Sequence, residues 1–241
     1  MQKTIQQLRS ENREYFQLAL SVDCVIFGFE HNELKVLLIK SDLEEFQDRW
    51  SLLGDLVRID ENLDTASYRV LKERTGLDDV YLEQVHTFGS VDRHPAGRVI
   101  TVAYYSLINS KDHQLKLAHN ELHWHPVNDI STLAFDHKTI LDTCIRQLQS
   151  KIEEHPIVFN LLPEKFSLRE LQSLYEAILG VKMDRRNFRK KFFLMGWLID
   201  VNELEQDVPH RPGKLYRFDA EKFPNGQFKG QISAEPELAL M

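Results

Sequence analysis

Two rhythms of apolar residues divide the chain. Up to about residue 150, short β-branched and aliphatic runs alternate with helical patterns. Residues 21–29 and 34–40 are apolar enough to predict strands, and Glu30-His31-Asn32-Glu33 between them has the composition of a hairpin turn. Residues 80–88 and 98–107 predict two further strands on either side of a loop at 92–97. Helices are predicted over about 63–74 and 137–151, the second because Ile140, Leu141, Cys144, Ile145 and Leu148 recur at helical spacing. Strands alternating with helices define an α/β fold.

The pattern changes near 153–156, where a charged helix end runs into Pro156, a residue that disfavours helix at the position before it. Ser167 and Glu170 have the spacing of a capping box, and Leu168, Leu171, Leu174, Tyr175 and Ile178 then form one apolar stripe ending at Gly180. A second helix is predicted from the N-cap Asp184 to about Met195, before Gly196. Strands at 197–201 and 214–218, joined by the Pro/Gly-bearing segment 208–213, complete the order helix, turn, helix, hairpin of a winged helix-turn-helix. The organisation expected is thus an α/β domain over 1–153, a winged helix over 154–223 and an aperiodic, flexible tail over 224–241.

At 241 residues, 42% hydrophobic and 28% charged, the chain can fill one large or two modest cores. No run approaches the ~18 apolar residues of a membrane helix, and 1–15 lack the pattern of a secretory signal. The two cysteines, Cys24 and Cys144, form no CxxC or zinc-spaced cluster, so a cytoplasmic protein is expected. The net charge of −7 argues against a nucleic-acid partner until it is divided. Residues 1–150 hold 16 Lys/Arg against 23 Asp/Glu, whereas 151–241 hold 14 of each, and 182–191 pack six basic residues against one acid. A basic block on a neutral domain can be an electrostatic footprint for DNA.

The segment 54–77 resembles the Nudix box, in which a glycine, five residues, a glutamate and seven residues precede Arg-Glu-aliphatic-x-Glu-Glu-x-Gly-aliphatic. Glu61, Arg69, Leu71, Glu73, Gly76 and Leu77 stand in register, while Asp55 replaces the box glycine beside Gly54. The resemblance implies a Nudix-like α/β/α sandwich with a mixed sheet. In a Nudix hydrolase three helix carboxylates at i, i+3 and i+4 share one face, where they hold divalent ions against a diphosphate. Here those positions are Val70, Glu73 and Arg74, so two of the three carboxylates are missing and a cation stands among them. Hydrolysis is therefore not expected, and Glu61, Arg69 and Glu73 are read as ion pairs that hold the fold. No metal and no cofactor is expected either; His123 and His125, flanking Trp124, read as a strand face.

Losing the metal cluster leaves the concave surface of such a fold, which suits a ligand sensor. The candidate effector-binding residues are Asp23, Lys40, Trp50, Arg93 and Arg98. An aromatic face beside carboxylate and guanidinium groups suits a sugar or a ribose-phosphate. A core role for Trp50 and an Arg98–Asp92 ion pair are the structural alternatives.

On the second helix of the winged region, Phe188, Phe192 and Met195 recur at i, i+4 and i+7 and define its buried face. Arg186 and Lys190 then point away, with Asn187 and Arg189 on the flanks and Arg185 in the same basic turn. Arginine suits guanine edges and phosphates, and asparagine suits adenine. Arg211, Lys214 and Arg217 on the hairpin are candidates for phosphate contacts, as at most is Lys191 at the core margin. Phe193 falls on the outer side, where only a packing partner would account for it.

With Phe88-Gly89, the run Asp92-Arg93-His94-Pro95-Ala96-Gly97-Arg98-Val99, and Phe159-Asn160-Leu161-Leu162-Pro163, these features make residues 17–223 resemble the Nudix-related transcriptional regulators. That resemblance implies a homodimer on a palindromic operator in double-stranded DNA, released when a small molecule occupies the Nudix domain. In one branch the effector is ADP-ribose and the targets serve NAD metabolism; in another it is a sugar such as arabinose. Leu52-Leu53-Gly54-Asp55 and Tyr104-Tyr105 place the chain nearer the sugar branch. The expectation is a ligand-responsive repressor of sugar-utilisation genes. The alternatives are an ADP-ribose-responsive regulator, a Nudix hydrolase with an unusual metal site, and a protein-binding adaptor.

Overall fold

The computed structural model describes residues 18–222 except 42, 47, 78–79, 110–121, 153–154, 207 and 210; the expected tail at 224–241 lies outside the described residues. The central strand is β1 (Ala19–Glu30), with Val22, Cys24 and Ile26 facing one side, Val25 and Phe27 the other, and all five fully buried. A continuous apolar run is what burial of both faces demands. β2 (Glu33–Lys40) returns antiparallel through a turn in which His31 and Asn32 have φ of 54° and 63°, the left-handed pair that matches strand twist in a tight hairpin.

The other strands are β3 (Trp50–Ser51), β4 (Leu53–Leu56), β5 (Glu83–Phe88), β6 (Val99–Leu107) and β7 (Leu122–Pro126). Among the described residues they form one mixed sheet of order β3-β2-β1-β6-β5, with β4 also on β1 and β7 also on β2. β1 and β6 run parallel; the remaining pairs are antiparallel. The sequence pattern does not resolve β3 and β4, because two and four residues are too few to establish a period of two, and it marks β7 only by the strand face of His123 and His125.

Helix α1 (Leu63–Thr75) begins where Asn62 Oδ1 accepts from Thr65 N at 2.8 Å and ends at left-handed Gly76. Its Val70 and Leu71 pack on the sheet face lined by Val22, Cys24 and Ile26. Helix α2 (His137–Lys151) covers the opposite face, setting Ile140, Leu141, Cys144 and Leu148 against Val25, Phe27, Val36 and Leu38. Helix, sheet and helix thus form the expected sandwich.

That second apolar cluster continues into the C-terminal region. A 3-10 helix, Pro156–Leu161, is buried throughout, so the predicted break near 153–156 leads into a packed connection. Beyond it come β8 (Phe166–Ser167), α3 (Leu168–Leu179), α4 (Arg185–Met195), β9 (Leu198–Leu204) and β10 (Lys214–Phe218), the last three strands pairing in the order β8-β10-β9. The capping box forms, with Glu170 Oε2 accepting from Ser167 N at 2.8 Å and Ser167 Oγ from Glu170 N at 3.3 Å. Leu171, Leu174, Tyr175 and Ile178 of α3 join the cluster under the sheet. Tyr175 Oη donates to Ile152 O at 3.0 Å and Gln149 Nε2 to Ile178 O at 2.8 Å, so α2 and α3 are bonded as well as packed.

Candidate effector pocket and nucleic-acid interface

A cavity of about 270 Å³ opens where β1, β2, β3 and β4 meet the start of α2. Asp23, Lys40 and Arg93 line it, together with Ser41, Asp55, Arg74, His94, Phe135 and His137. Trp50 and Arg98 lie outside that wall. The Trp50 ring sits beneath Lys40 Nζ, 4.2 Å from its centroid, and 4.3 and 5.2 Å from the His125 and His123 rings. Arg98 Nη1 donates to the carbonyls of Gly89 and Ser90 at 2.7 and 2.9 Å, tying together the ends of the β5–β6 loop.

A buried polar network supports the cavity floor. The Asp23 carboxylate, 4% exposed, accepts from Thr101 Oγ1 at 2.7 Å and lies 3.7 Å from Arg93 Nη2. Arg93 is held by a bidentate pair to Asp136 at 2.9 and 2.7 Å, the planar fork geometry that favours arginine in buried ion pairs. Leu52 N–H donates to His137 Nδ1 at 3.0 Å, so that nitrogen must carry a lone pair. The ring proton therefore resides on Nε2, which faces Asp23 Oδ1 at 3.4 Å. Burial pulls the His137 pKa below its ordinary 6.5 despite the opposing pull of Asp23 and Asp136. Gly54 pairs with Asp23 across β1 and β4, and a Cβ there would run into the Asp23 carboxylate.

At the rim, Phe135 has φ of 53°, a left-handed conformation costly for an aromatic residue. Its ring stacks on His94 with centroids 5.0 Å apart and planes 10° apart, and touches Phe46 at 4.6 Å. The ring thus lies among three others, that of His137 being 4.9 Å away, and forms part of the cavity wall. No periodic pattern marks Phe135 or His94, and Arg74 stood out in the sequence only as a lost carboxylate.

The box residues are tied to one another. Arg69 donates to Glu61 at 2.7–3.2 Å, to Asp55 and Glu73 at 3.1 Å and to Leu56 O at 2.9 Å, while Arg58 Nη2 donates to Glu73 at 3.1 Å. The Arg69 bonds, with Arg58 N–H, draw the Glu61 pKa down to about 2. Val70 is buried in the core.

In the winged region, Phe188 and Phe192 of α4 pack against Tyr175, with ring centroids 5.5 and 5.1 Å away. Asp184 Oδ1 accepts from Asn187 N at 2.9 Å and starts the helix. This packing leaves Arg185, Arg186, Asn187, Arg189, Lys190 and Lys191 exposed, with Asn187 and Lys191 beside Tyr175, Phe188 and Phe192 at the margin of the core. On the β9–β10 hairpin, Arg211 and Arg217 are exposed, and Lys214 pairs with Asp200 at 2.6 Å. Phe193 packs against Tyr216 of β10 at 5.8 Å, so its partner lies within the chain and ties the helix to the wing.

An α/β/α sandwich bonded to a winged helix with a basic exposed helix is the architecture of a DNA-binding regulator. Residues 17–147 match the NUDIX domain and residues 158–218 the NrtR DNA-binding winged helix domain, and the chain belongs to the Nudix-related transcriptional regulators. It is 33% identical over 213 residues to the ADPR responsive transcriptional repressor NtrR of Acinetobacter baylyi, spanning 86% of this chain and 85% of that protein. The crystal structure of Shewanella oneidensis NrtR complexed with a 27mer DNA is 30% identical, with a TM-score of 0.74 over 84% of this chain and 94% of that one. An ADP-ribose pyrophosphatase of Methanocaldococcus jannaschii is 30% identical over 136 residues, 56% of this chain and 77% of that enzyme.

Proposed function

We propose that this protein is an ADP-ribose-responsive transcriptional repressor that binds its effector without cleaving it. The observation that carries this reading is that Arg74, Lys40, His94 and Phe135 all line one cavity. Cations suit a diphosphate and aromatic rings suit an adenine, whereas a neutral sugar such as arabinose can use the rings but carries no charge for the cations to meet. The repressor of Acinetobacter baylyi, described as ADPR responsive, supports the same choice. In this reading residues up to about 153 sense the effector. Residues 154–223 bind a palindromic operator as a homodimer, with Arg185, Arg186, Asn187, Arg189 and Lys190 in the major groove and Arg211, Lys214 and Arg217 on the backbone.

A ligand that binds only the folded state raises its melting temperature. ADP-ribose is therefore expected to raise Tm and to release labelled operator, with L-arabinose and D-xylose doing neither. Stabilisation by arabinose alone would return the effector to the sugars. Release of AMP from ADP-ribose with magnesium, abolished by Glu73→Gln, would make the protein an enzyme.

A further inference from the structure

Divalent ions are the means by which a Nudix hydrolase grips a diphosphate, and the donor set here does not fit them. Glu61 and Glu73 both accept from the Arg69 guanidinium, and Glu73 also accepts from Arg58, so an ion at these carboxylates would displace two cationic groups. The neighbouring box position, Val70, is 1% exposed and packed in the core. Among the described residues no group of three His, Cys, Asp or Glu side chains is placed to hold a metal ion. The remaining box position, Arg74, reaches the wall of the cavity, where Lys40 also lies.

We infer that the diphosphate of the effector is held by side-chain cations with no divalent ion, and that Arg74 takes the place of the metal. This rests on the ADP-ribose reading above. A guanidinium carries a fixed charge and a planar fork that meets phosphate oxygens in pairs, so it supplies the attraction a magnesium ion would. It supplies no bound water of lowered pKa, so it grips the diphosphate without generating the nucleophile that would cleave it. The substitution that removes the catalytic metal thereby creates the binding group of a sensor. Arg93 is a positioning residue: its bidentate pair with Asp136 fixes the cavity floor.

The test is calorimetric titration of the full-length protein with ADP-ribose, once with excess EDTA and once with excess magnesium chloride. The two Kd values are expected to agree within about twofold, and Arg74→Gln to weaken binding by about tenfold or more in both buffers. Arg74→Lys is expected to recover part of that loss, since it restores the charge but not the fork. Thermal melts check that each variant is folded, and the wild-type comparison decides the question without any variant. Binding that needs magnesium overturns the inference while leaving ADP-ribose as effector. Unchanged affinity in folded Arg74→Gln overturns the role of Arg74. Absence of binding in both buffers removes ADP-ribose itself, and the metal-free clamp with it.

Discussion

His137 is kept neutral by its neighbours, because protonation of Nδ1 would set two N–H donors, its own and that of Leu52, against each other. In the unfolded chain the same imidazole titrates near its ordinary 6.5. As pH falls through that value the unfolded state takes up a proton that the folded state excludes, so stability declines, by up to about 1.4 kcal/mol per pH unit. Glu61 acts in a lower window: its pKa of about 2 against an ordinary 4.5 contributes stability above 4.5 that is lost as pH falls toward 2. Urea denaturation across both windows checks this. His137→Gln is expected to flatten the slope just below neutrality and leave the acid limb, while Arg69→Met does the reverse; a His137→Gln slope equal to wild type would refute the neutral-imidazole assignment.

Among the elements, α4 depends on a short turn whose geometry Glu176 dictates. Its carboxylate accepts from Gln172 Nε2 and Met183 N at 2.9 Å and from Lys182 Nζ at 3.0 Å, while left-handed Gly180 stops α3. Glu176→Ala leaves the Met183 N–H without that acceptor and is expected to cost about 1–3 kcal/mol in chemical denaturation. Operator affinity should fall with it, since the turn aims α4. Arg186→Ala and Lys190→Ala, both on the exposed side, should leave stability unchanged and weaken specific operator binding by about 1–3 kcal/mol. Anisotropy titrations at several salt concentrations separate two cases: a base contact relaxes preference at one base pair, and a phosphate contact weakens every sequence and flattens the salt dependence.

For the molecule as a whole, α2 links the cavity to α4. Its first residue, His137, lines the cavity, while near its end Gln149 and Ile152 are hydrogen-bonded to Ile178 and Tyr175 of α3. Tyr175 in turn touches Phe188 and Phe192 of α4. Among the described residues these contacts run without a break from α2 to α4, which gives a shift at the start of α2 a packed route to α4. Linkage then requires that the operator weaken effector binding by the factor by which the effector weakens operator binding, typically about 5–150-fold. ADP-ribose titrations with and without saturating operator measure that factor. Tyr175→Phe, which removes the hydroxyl that donates to Ile152 O, is expected to shrink it; equal affinities in the wild type would show that the two sites are uncoupled.

Much of this architecture is written locally. The apolar runs of β1 and β2, the ends of α2, the capping box at Ser167 and the basic side of α4 were legible because each depends on neighbours within a turn or two. The same locality explains what was hidden. Arg74, His94, Phe135 and His137 come from a helix end, a loop, a strained residue and a helix start, and they meet only because β6 runs parallel beside β1 and α2 folds back across the sheet. Trp50 and Arg98 have the right chemistry for a ligand, yet their strand and loop direct them to neighbouring rings and carbonyls instead. The sequence by itself determined which faces are buried and which box carboxylates are lost. Only the tertiary structure decided that a lost carboxylate lies on a cavity wall, because periodicity reports the environment of one face, whereas a site is a meeting of segments far apart in the chain.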